Sequence, residues 1–413
     1  MKAILLTIGN EVLNGQVVDT NAAWIAQALL EIGIPIREKW SVADEISEII
    51  YALENASTRS EIIITTGGLG PTVDDLTCEA LAQFMGVQRE FHTDTFDKLN
   101  QIFTSIGRIP TESHRIQCLL PKGVQVLPNI NGTAPGMYFF YKNKHFISLP
   151  GVPFEMKGIF HPHVKNLLET LRTGPKRRSH TFNTIGEGET FLEDLIKDIT
   201  QNASKSIGFA FLPDLYKVRI RVDLDSTTKK DIENFEEILA RIRSRLVMYT
   251  VGENDQTLEL AIGKELLRRN WMMATAESCT GGYISHLITS NSGSSNYYKG
   301  SVIAYSNEMK TSLLGVKVIT LEEEGAVSDL TVLEMATGAI KALHVEVAIA
   351  ISGIAGPGGG TVEKPVGLVW IAVADIDGKQ MTKKIQLRRD RLLNIRAASN
   401  MALITLYKFL MNE

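Results

Sequence analysis

The chain has 413 residues, 44% of them hydrophobic and 22% charged, with a formal net charge of -4. That composition supplies cores for about two to four ordinary domains. It also lacks the Lys/Arg-rich blocks expected of wholesale binding to nucleic acid or to an anionic membrane. Three widely spaced cysteines, Cys78, Cys118 and Cys279, fit neither a disulfide framework nor a paired metal site and point to a reducing compartment. The apolar start soon meets Gly9, Asn10 and Glu11, and no apolar stretch is long enough to span a bilayer. The expectation is a soluble, cytoplasmic protein with small-molecule partners.

Residues 1 to about 170 alternate strand and helix patterns. Ala3–Ile8 is a short apolar strand. Asp19 or Thr20 caps a helix that places Trp24, Ile25, Ala28, Leu29 and Ile32 on one face, and Gly33 stops it. Ile34–Val42 reads as a strand, Asp44 as the cap of a second helix, and Ile62–Ile64 as a buried strand. A glycine-rich loop and a helix through Leu76, Ala80, Leu81 and Phe84 follow, and Pro153 suits the first turn of another helix. Such alternation predicts a mostly parallel sheet covered on both faces.

Gly174-Pro175-Lys176-Arg177-Arg178 reads as a linker. Beyond it come a strand near Thr181, a helix near Glu189–Ile199, strands at Ser206–Leu212 and Tyr216–Val222, and a helix from Lys229 to Leu246. The alternating Lys217, Arg219 and Arg221 read as one solvated strand face. From about residue 255 a second α/β pattern begins with a helix carrying Leu258, Leu260, Ile262, Leu266 and Leu267. Strands follow at Met272–Ala276, Ser301–Tyr305, Val345–Ile351 and Leu368–Ala374. Asp377-Gly378 then makes a hairpin turn, and a helix from about Asp390 to Phe409 ends the pattern. The predicted class is α/β: two three-layer α/β domains, 1–172 and 253–413, joined by a small α+β module at 173–252.

The sharpest local feature is Glu277-Ser278-Cys279-Thr280-Gly281-Gly282, between a strand and a helix. Ligands of open α/β sheets gather beyond the carboxyl ends of strands, glycines let backbone approach them, and a helix start offers free N–H groups. One loop can thus supply a hydroxyl nucleophile and anion donors, although a serine ahead of Gly-Gly is as readily a helix cap. A serine nucleophile needs a base. His286 and His344 are not obviously placed for it; Lys310, just past a strand end, serves if burial lowers its pKa, and is otherwise a surface residue. A second glycine loop, Ser352 to Gly360, can cradle a phosphate or simply connect. Ser294 offers a binding hydroxyl in a connecting loop.

Ala276–Gly282, Tyr305-Ser306-Asn307, Gly325-Ala326-Val327-Ser328, Ser352–Pro357 and Lys364-Pro365-Val366-Gly367 together resemble the C-terminal domain of the CinA, or competence/damage-inducible, family. The resemblance implies a nicotinamide mononucleotide deamidase that releases nicotinate mononucleotide and ammonia by serine–lysine catalysis without a cofactor. Ser278 is then the nucleophile, Lys310 the base and Tyr305 part of the catalytic group. Thr280, Gly281, Gly282, Ser294, Ser352 and Gly353 line the substrate, and Arg391 and Arg396 meet its phosphate.

In the N-terminal segment the motifs also sit on loops: Gly9 to Gly15, Asp19-Thr20-Asn21, Thr65 to Asp75, and Asn131 to Gly136. A Gly67-Gly68-Leu69-Gly70 loop ending in Asp74 and Asp75 can hold phosphates on N–H groups and a metal on carboxylates, or the pair can simply favour a helix start. These motifs, with Leu149–Met156, resemble the molybdopterin-binding domain found fused to CinA. The resemblance implies a metal-dependent ADP-ribose pyrophosphatase with Glu11, Asp19, Asn21, Gly67, Gly68, Gly70 and Thr72 around its site. Asn10 stands where some relatives carry an acid, so the divalent metal rests on Asp74 and Asp75. The implied whole is a homodimeric, bifunctional hydrolase of pyridine-nucleotide salvage, acting on nicotinamide mononucleotide and ADP-ribose. An enzyme active only in its N-terminal domain, or a non-enzymatic molybdopterin-binding or competence-related protein, are the alternatives.

Overall fold

The computed structural model describes residues 1–171 and 178–411; Gly174–Arg177 of the expected linker lie outside the described residues. Contacts divide the chain into two compact units, Met1–Arg178 and Ser179–Glu413.

The first unit is built on a six-stranded sheet. Its strands are β1 (Ala3–Ile8), β2 (Ile36–Val42), β3 (Ile62–Thr66), β4 (Gln125–Leu127), β5 (Gly136–Tyr141) and β6 (Lys144–Leu149), in the order β2-β1-β3-β6-β5-β4. The first four in that order run parallel, and β5 and β4 continue antiparallel. Successive side chains of a strand point to opposite faces. Ala3 and Leu5 of β1 therefore join the core under α1 (Thr20–Glu31), while Ile4, Leu6 and Ile8 join the core under α2 (Ile46–Arg59) and α3 (Thr77–Met85). Asp19 caps α1 by accepting from the Ala22 amide at 2.9 Å, and Pro153 opens α4 (Pro153–Ile159). Asp44 does not cap α2. Glu45 stands at that cap without a side-chain bond, and Asp44 instead accepts from the Asn10 amide at 2.8 Å, tying the loop after β2 to the loop after β1.

The second unit contains two sheets. One has β7 (Arg178–Ile185), β8 (Ile207–Asp214), β9 (Lys217–Leu224) and β10 (Thr250–Glu253) in the order β8-β9-β7-β10, with helices α5 (Glu189–Gln201) and α6 (Lys229–Arg245). Lys217 is not part of a solvated basic face, because it pairs with Glu259 at 2.7 Å. Arg221 likewise pairs with Asp223 at 3.1 Å, leaving Arg219 exposed. Ile185, Leu215 and Val251 belong to the same apolar cluster as the next helix, α7 (Leu258–Arg269), so this module and the α/β sheet beyond it share a core.

That sheet comprises β11 (Met273–Glu277), β12 (Tyr298–Ile303), β13 (Val347–Gly353), β14 (Leu368–Asp375) and β15 (Gln380–Gln386), in the order β12-β11-β13-β14-β15. The first three run parallel and the last two antiparallel. Helices α8 (Tyr283–Thr289), α9 (Asn307–Leu314), α10 (Asp329–Leu343) and α11 (Arg391–Met411) complete it. Val347, Ile349 and Ile351 of β13 fill the core shared with α7, α8 and α11. Ala348 and Ala350 face α10, where small side chains let that helix pack close. β12 ends two residues earlier than the sequence pattern suggests. Its register against β11, from Met273↔Tyr298 to Glu277↔Ile303, releases Ala304 and Tyr305 into the loop beyond the strand ends.

Candidate active site

Beyond β11 the chain turns through Ser278–Gly282 into α8. Gly282 holds φ 98°, a left-handed conformation, and a Cβ there would lie 3.0 Å from Ile303, so the turn needs glycine. The Ser278 amide donates to Ile351 O at 3.1 Å, and the Ala304 amide to Glu277 O at 2.9 Å. Ser278 thus sits past the carboxyl ends of β11, β12 and β13. There the chain order reverses, since β11 leads out to β12 and β12 crosses back to β13.

Ser306 caps α9, and Lys310 lies on that helix's buried face one turn before Leu314. Lys310 is 1% exposed. Its Nζ stands 3.0 Å from Ser278 Oγ, 2.9 Å from Ala304 O and 3.3 Å from Tyr305 O. No carboxylate pairs with it among the described residues, and desolvation pushes its pKa down from the ordinary lysine value. A neutral amine has two N–H groups and one lone pair. In that neutral form the two carbonyl oxygens would take the N–H groups and leave the lone pair for the Ser278 hydroxyl. Cys279 is no rival nucleophile, because burial pushes its thiol up to about 12. His344 caps α10 just before the amino end of β13, at the opposite end of the sheet from Ser278.

The other expected residues divide. Tyr305 is an exposed ring whose hydroxyl lies 3.1 Å from Arg391 Nη2, and Arg391 Nη1 donates to Gly356 O at 2.6 Å. Arg391 therefore clamps the second glycine loop to the Tyr305 loop. The Thr280 hydroxyl and the Gly282 amide are not offered to a substrate, since both bond the buried Glu277 carboxylate, at 2.7 and 3.0 Å. The Gly281 amide bonds Ser278 O, while the amides of Cys279 and Thr280 bond no other residue among those described. Ser352 donates to Ala326 O at 2.6 Å, and Gly353 lets β13 pack against Val369, so both build the frame rather than line a ligand. Ser294 precedes β12, whose first residue pairs with the first of β11. At about 3.3 Å per residue it stands at the far end of the sheet from Ser278. Arg396 lies 3.8 Å from Asp214 and lines a separate cavity with Lys217 and Arg219.

In the first unit a cleft of about 400 Å³ opens at the carboxyl ends of β1 and β3, lined by Glu11, Asp19, Asn21, Gly67, Gly68, Gly70, Asp74 and Asp75. Gly67 has φ 109°, and a Cβ there would meet Ile8 O at 2.0 Å, so only glycine brings this loop over β1. Asp19 accepts from Thr7 Oγ1 at 2.7 Å as well as from Ala22. Thr72 is not in the lining; its amide and hydroxyl hold Asp75 Oδ2 at 2.8 and 2.5 Å. Two buried lining residues carry unpaired acceptors, Asn21 Oδ1 and Gln117 Oε1. Among the described residues no three His, Cys, Asp or Glu side chains converge into a ready metal cage.

Residues 255–410 match the model of the CinA C-terminal domain, and residues 4–170 that of a probable molybdopterin-binding domain. Over 418 aligned residues the chain is 40% identical to a CinA-like protein of Cytophaga hutchinsonii, covering 100% of this chain and 98% of that protein. The chain belongs to the CinA family. A CinA-like protein of Salinibacter ruber is 37% identical over 395 residues, 95% of this chain and 96% of its own. A solved CinA superfamily protein from Klebsiella pneumoniae is 33% identical, with a TM-score of 0.37, and spans 38% of this chain and 97% of that one.

Two residues of this CinA chain escaped the sequence reading. Asp44 lines the N-terminal cleft; burial raises its pKa, and the carboxylates of Glu11, Asp74 and Asp75 add to the rise. Nothing in its local sequence marks it, because its neighbours come from β1 and β3. Glu277, by contrast, carried a visible signal: an acid directly before a small-residue turn, at the end of a strand that is otherwise apolar or small.

Proposed function

We propose that the second unit hydrolyses the carboxamide of nicotinamide mononucleotide, with Ser278 as nucleophile and Lys310 as base. The observation that carries this reading is a buried lysine with no counter-ion among the described residues, its Nζ 3.0 Å from a serine hydroxyl at a strand-to-helix turn. Lys310 takes the Ser278 proton as Oγ attacks the carboxamide carbon. The amides of Cys279 and Thr280 are the donors left free for the resulting oxyanion, an interaction worth about 3 kcal/mol per donor. The Lys310 ammonium returns its proton to the leaving nitrogen, and the C–N bond breaks to release ammonia. Lys310, neutral again, draws a proton from the water that attacks the acyl-serine and passes it to the departing Ser278 Oγ, freeing nicotinate mononucleotide and restoring the serine hydroxyl. Arg391, with N–H groups to spare beyond the Tyr305–Gly356 clamp, meets the phosphate.

For the first unit the same reading is a pyrophosphatase acting on ADP-ribose, with the Gly67–Gly70 loop under the phosphates. A magnesium-type ion is held by one or two carboxylates and completed by substrate phosphates. The cleft suits such an ion, since Asp44, Glu11, Asp74 and Asp75 bring negative charge together there, and Asp74 and Asp75 are the carboxylates that would hold it. When bound, the metal would neutralise charge developing on the phosphates.

Ammonia release from nicotinamide mononucleotide, measured with and without EDTA, tests the assignment. Release that persists in EDTA and vanishes in Ser278→Ala is expected. Release by Ser278→Ala at the wild-type rate would overturn it.

A further inference from the structure

Glu277 is fully buried, one residue before the nucleophile. No Lys, Arg or His forms an ion pair with it among the described residues. Its charge is met by dipoles alone. Oε2 accepts from Thr280 Oγ1 at 2.7 Å, Gly282 N at 3.0 Å and Ile284 N at 3.1 Å. Oε1 accepts from Ser285 Oγ at 2.6 Å, Ser285 N at 2.9 Å and Thr275 Oγ1 at 3.3 Å. An amide in that place has one acceptor oxygen and two N–H groups, so only a carboxylate can receive donors on both sides. The side chain closes a ring around residues 278–281 and takes up the first free amides of α8.

That arrangement has a chemical consequence. A helix start ordinarily presents its unpaired N–H groups to an anion. Here those of Gly282, Ile284 and Ser285 already face an internal anion. A substrate phosphate or oxyanion must use other donors, and in this turn the amides of Cys279 and Thr280 are the ones that bond no other residue among those described.

We propose that Glu277 is the positioning residue of the amidase site: an internal carboxylate around which the Ser278 turn is folded, holding the hydroxyl against Lys310 and the Cys279 and Thr280 amides toward the reacting carbonyl. The inference rests on the Ser278–Lys310 reading, and the two fail separately. Glu277→Gln keeps the shape but turns an NH2 group toward donors that then have nothing to give to. A displaced turn affects the reacting geometry more than binding, because no Glu277 atom is offered to the substrate. In the full chain kcat for ammonia release should fall about 10–100-fold while KM changes less than about threefold. A role in folding alone would lower the fraction of active enzyme, so titrating active sites with a serine-directed covalent probe separates the two: kcat per labelled site should still fall. Should Glu277→Gln not fold, Thr280→Val removes only the 2.7 Å bond and should lower kcat about 3–10-fold at unchanged KM. Wild-type kcat per site in a folded Glu277→Gln, or in Thr280→Val if the first variant is insoluble, overturns the proposal. Ser278→Ala is run alongside: its activity would sink the dyad itself, whereas an inactive Ser278→Ala beside a fully active Glu277→Gln sinks only the role of Glu277.

Discussion

The two candidate sites sit alike, each past the carboxyl ends of parallel strands on a glycine turn, yet they balance charge in opposite ways. Around Ser278 the charged groups are internal. Among the described residues Lys310 is buried with a hydroxyl and two carbonyls as its side-chain partners, and Glu277 is buried among six donors. The N-terminal cleft instead collects carboxylates against one another and leaves two amide oxygens unpaired. A site of the first kind is assembled before anything binds. One of the second kind reaches charge balance through what it binds, so cation dependence should divide the two.

The largest effect should come from the dyad. Ser278→Ala and Lys310→Ala should each cut ammonia release by at least about a thousandfold. ADP-ribose hydrolysis by the same preparations should stay within about twofold. If both activities fell together in folded protein, the contrast between the sites would be lost. EDTA should act in the opposite sense, abolishing ADP-ribose hydrolysis while sparing ammonia release, with added magnesium or manganese restoring the former. Assays of both products in one sample would show it.

Arg391→Ala should raise KM for nicotinamide mononucleotide by about 10–100-fold, the range expected from a lost charged hydrogen bond, and kcat much less. Steady-state kinetics would read this directly.

Lys310 also links pH to both activity and stability. Its folded pKa lies below the ordinary value, so kcat/KM should rise with pH as the amine loses its proton, giving an acid limb that Glu and Asp titrations do not explain. Between the folded pKa and about 10.4 the unfolded chain binds a proton that the folded chain does not, so wild-type stability gains with rising pH across that window. Below the folded pKa the cost of burying the ammonium is present in full. Lys310→Met should therefore raise the neutral-pH unfolding temperature by a few degrees and flatten its alkaline rise, as calorimetry at several pH values would register. The smallest effect belongs to Arg396→Ala, which should leave ammonia release within about twofold, since Arg396 pairs with Asp214 away from Ser278.

Local pattern carried much of this protein. Strand and helix periodicity, the Asp19 cap, the Pro153 start and the glycine turns were all readable, because each depends on residues a few positions apart. The Ser278–Lys310 pair was readable only through family resemblance; spacing alone left Lys310 as an ordinary surface lysine. The errors share a cause. Ser294 and Arg396 were expected at the substrate site, yet strand register puts one at the far end of the sheet and a neighbouring module pairs with the other. The Thr280 hydroxyl, the Gly282 amide and the Ser352 hydroxyl looked like ligand donors because a sequence does not show which hydroxyls and amides already have partners.

By itself, then, the sequence determined the kinds of element, the two α/β patterns and the glycine turn that bears Ser278, since these follow from short-range periodicity and backbone freedom. Tertiary structure alone decided which polar atoms remain free. Hydrogen bonds and desolvation depend on how the chain folds back on itself: a lysine 32 positions from Ser278 stands against its hydroxyl, and the Glu277 side chain turns onto the amides that seemed open to a ligand.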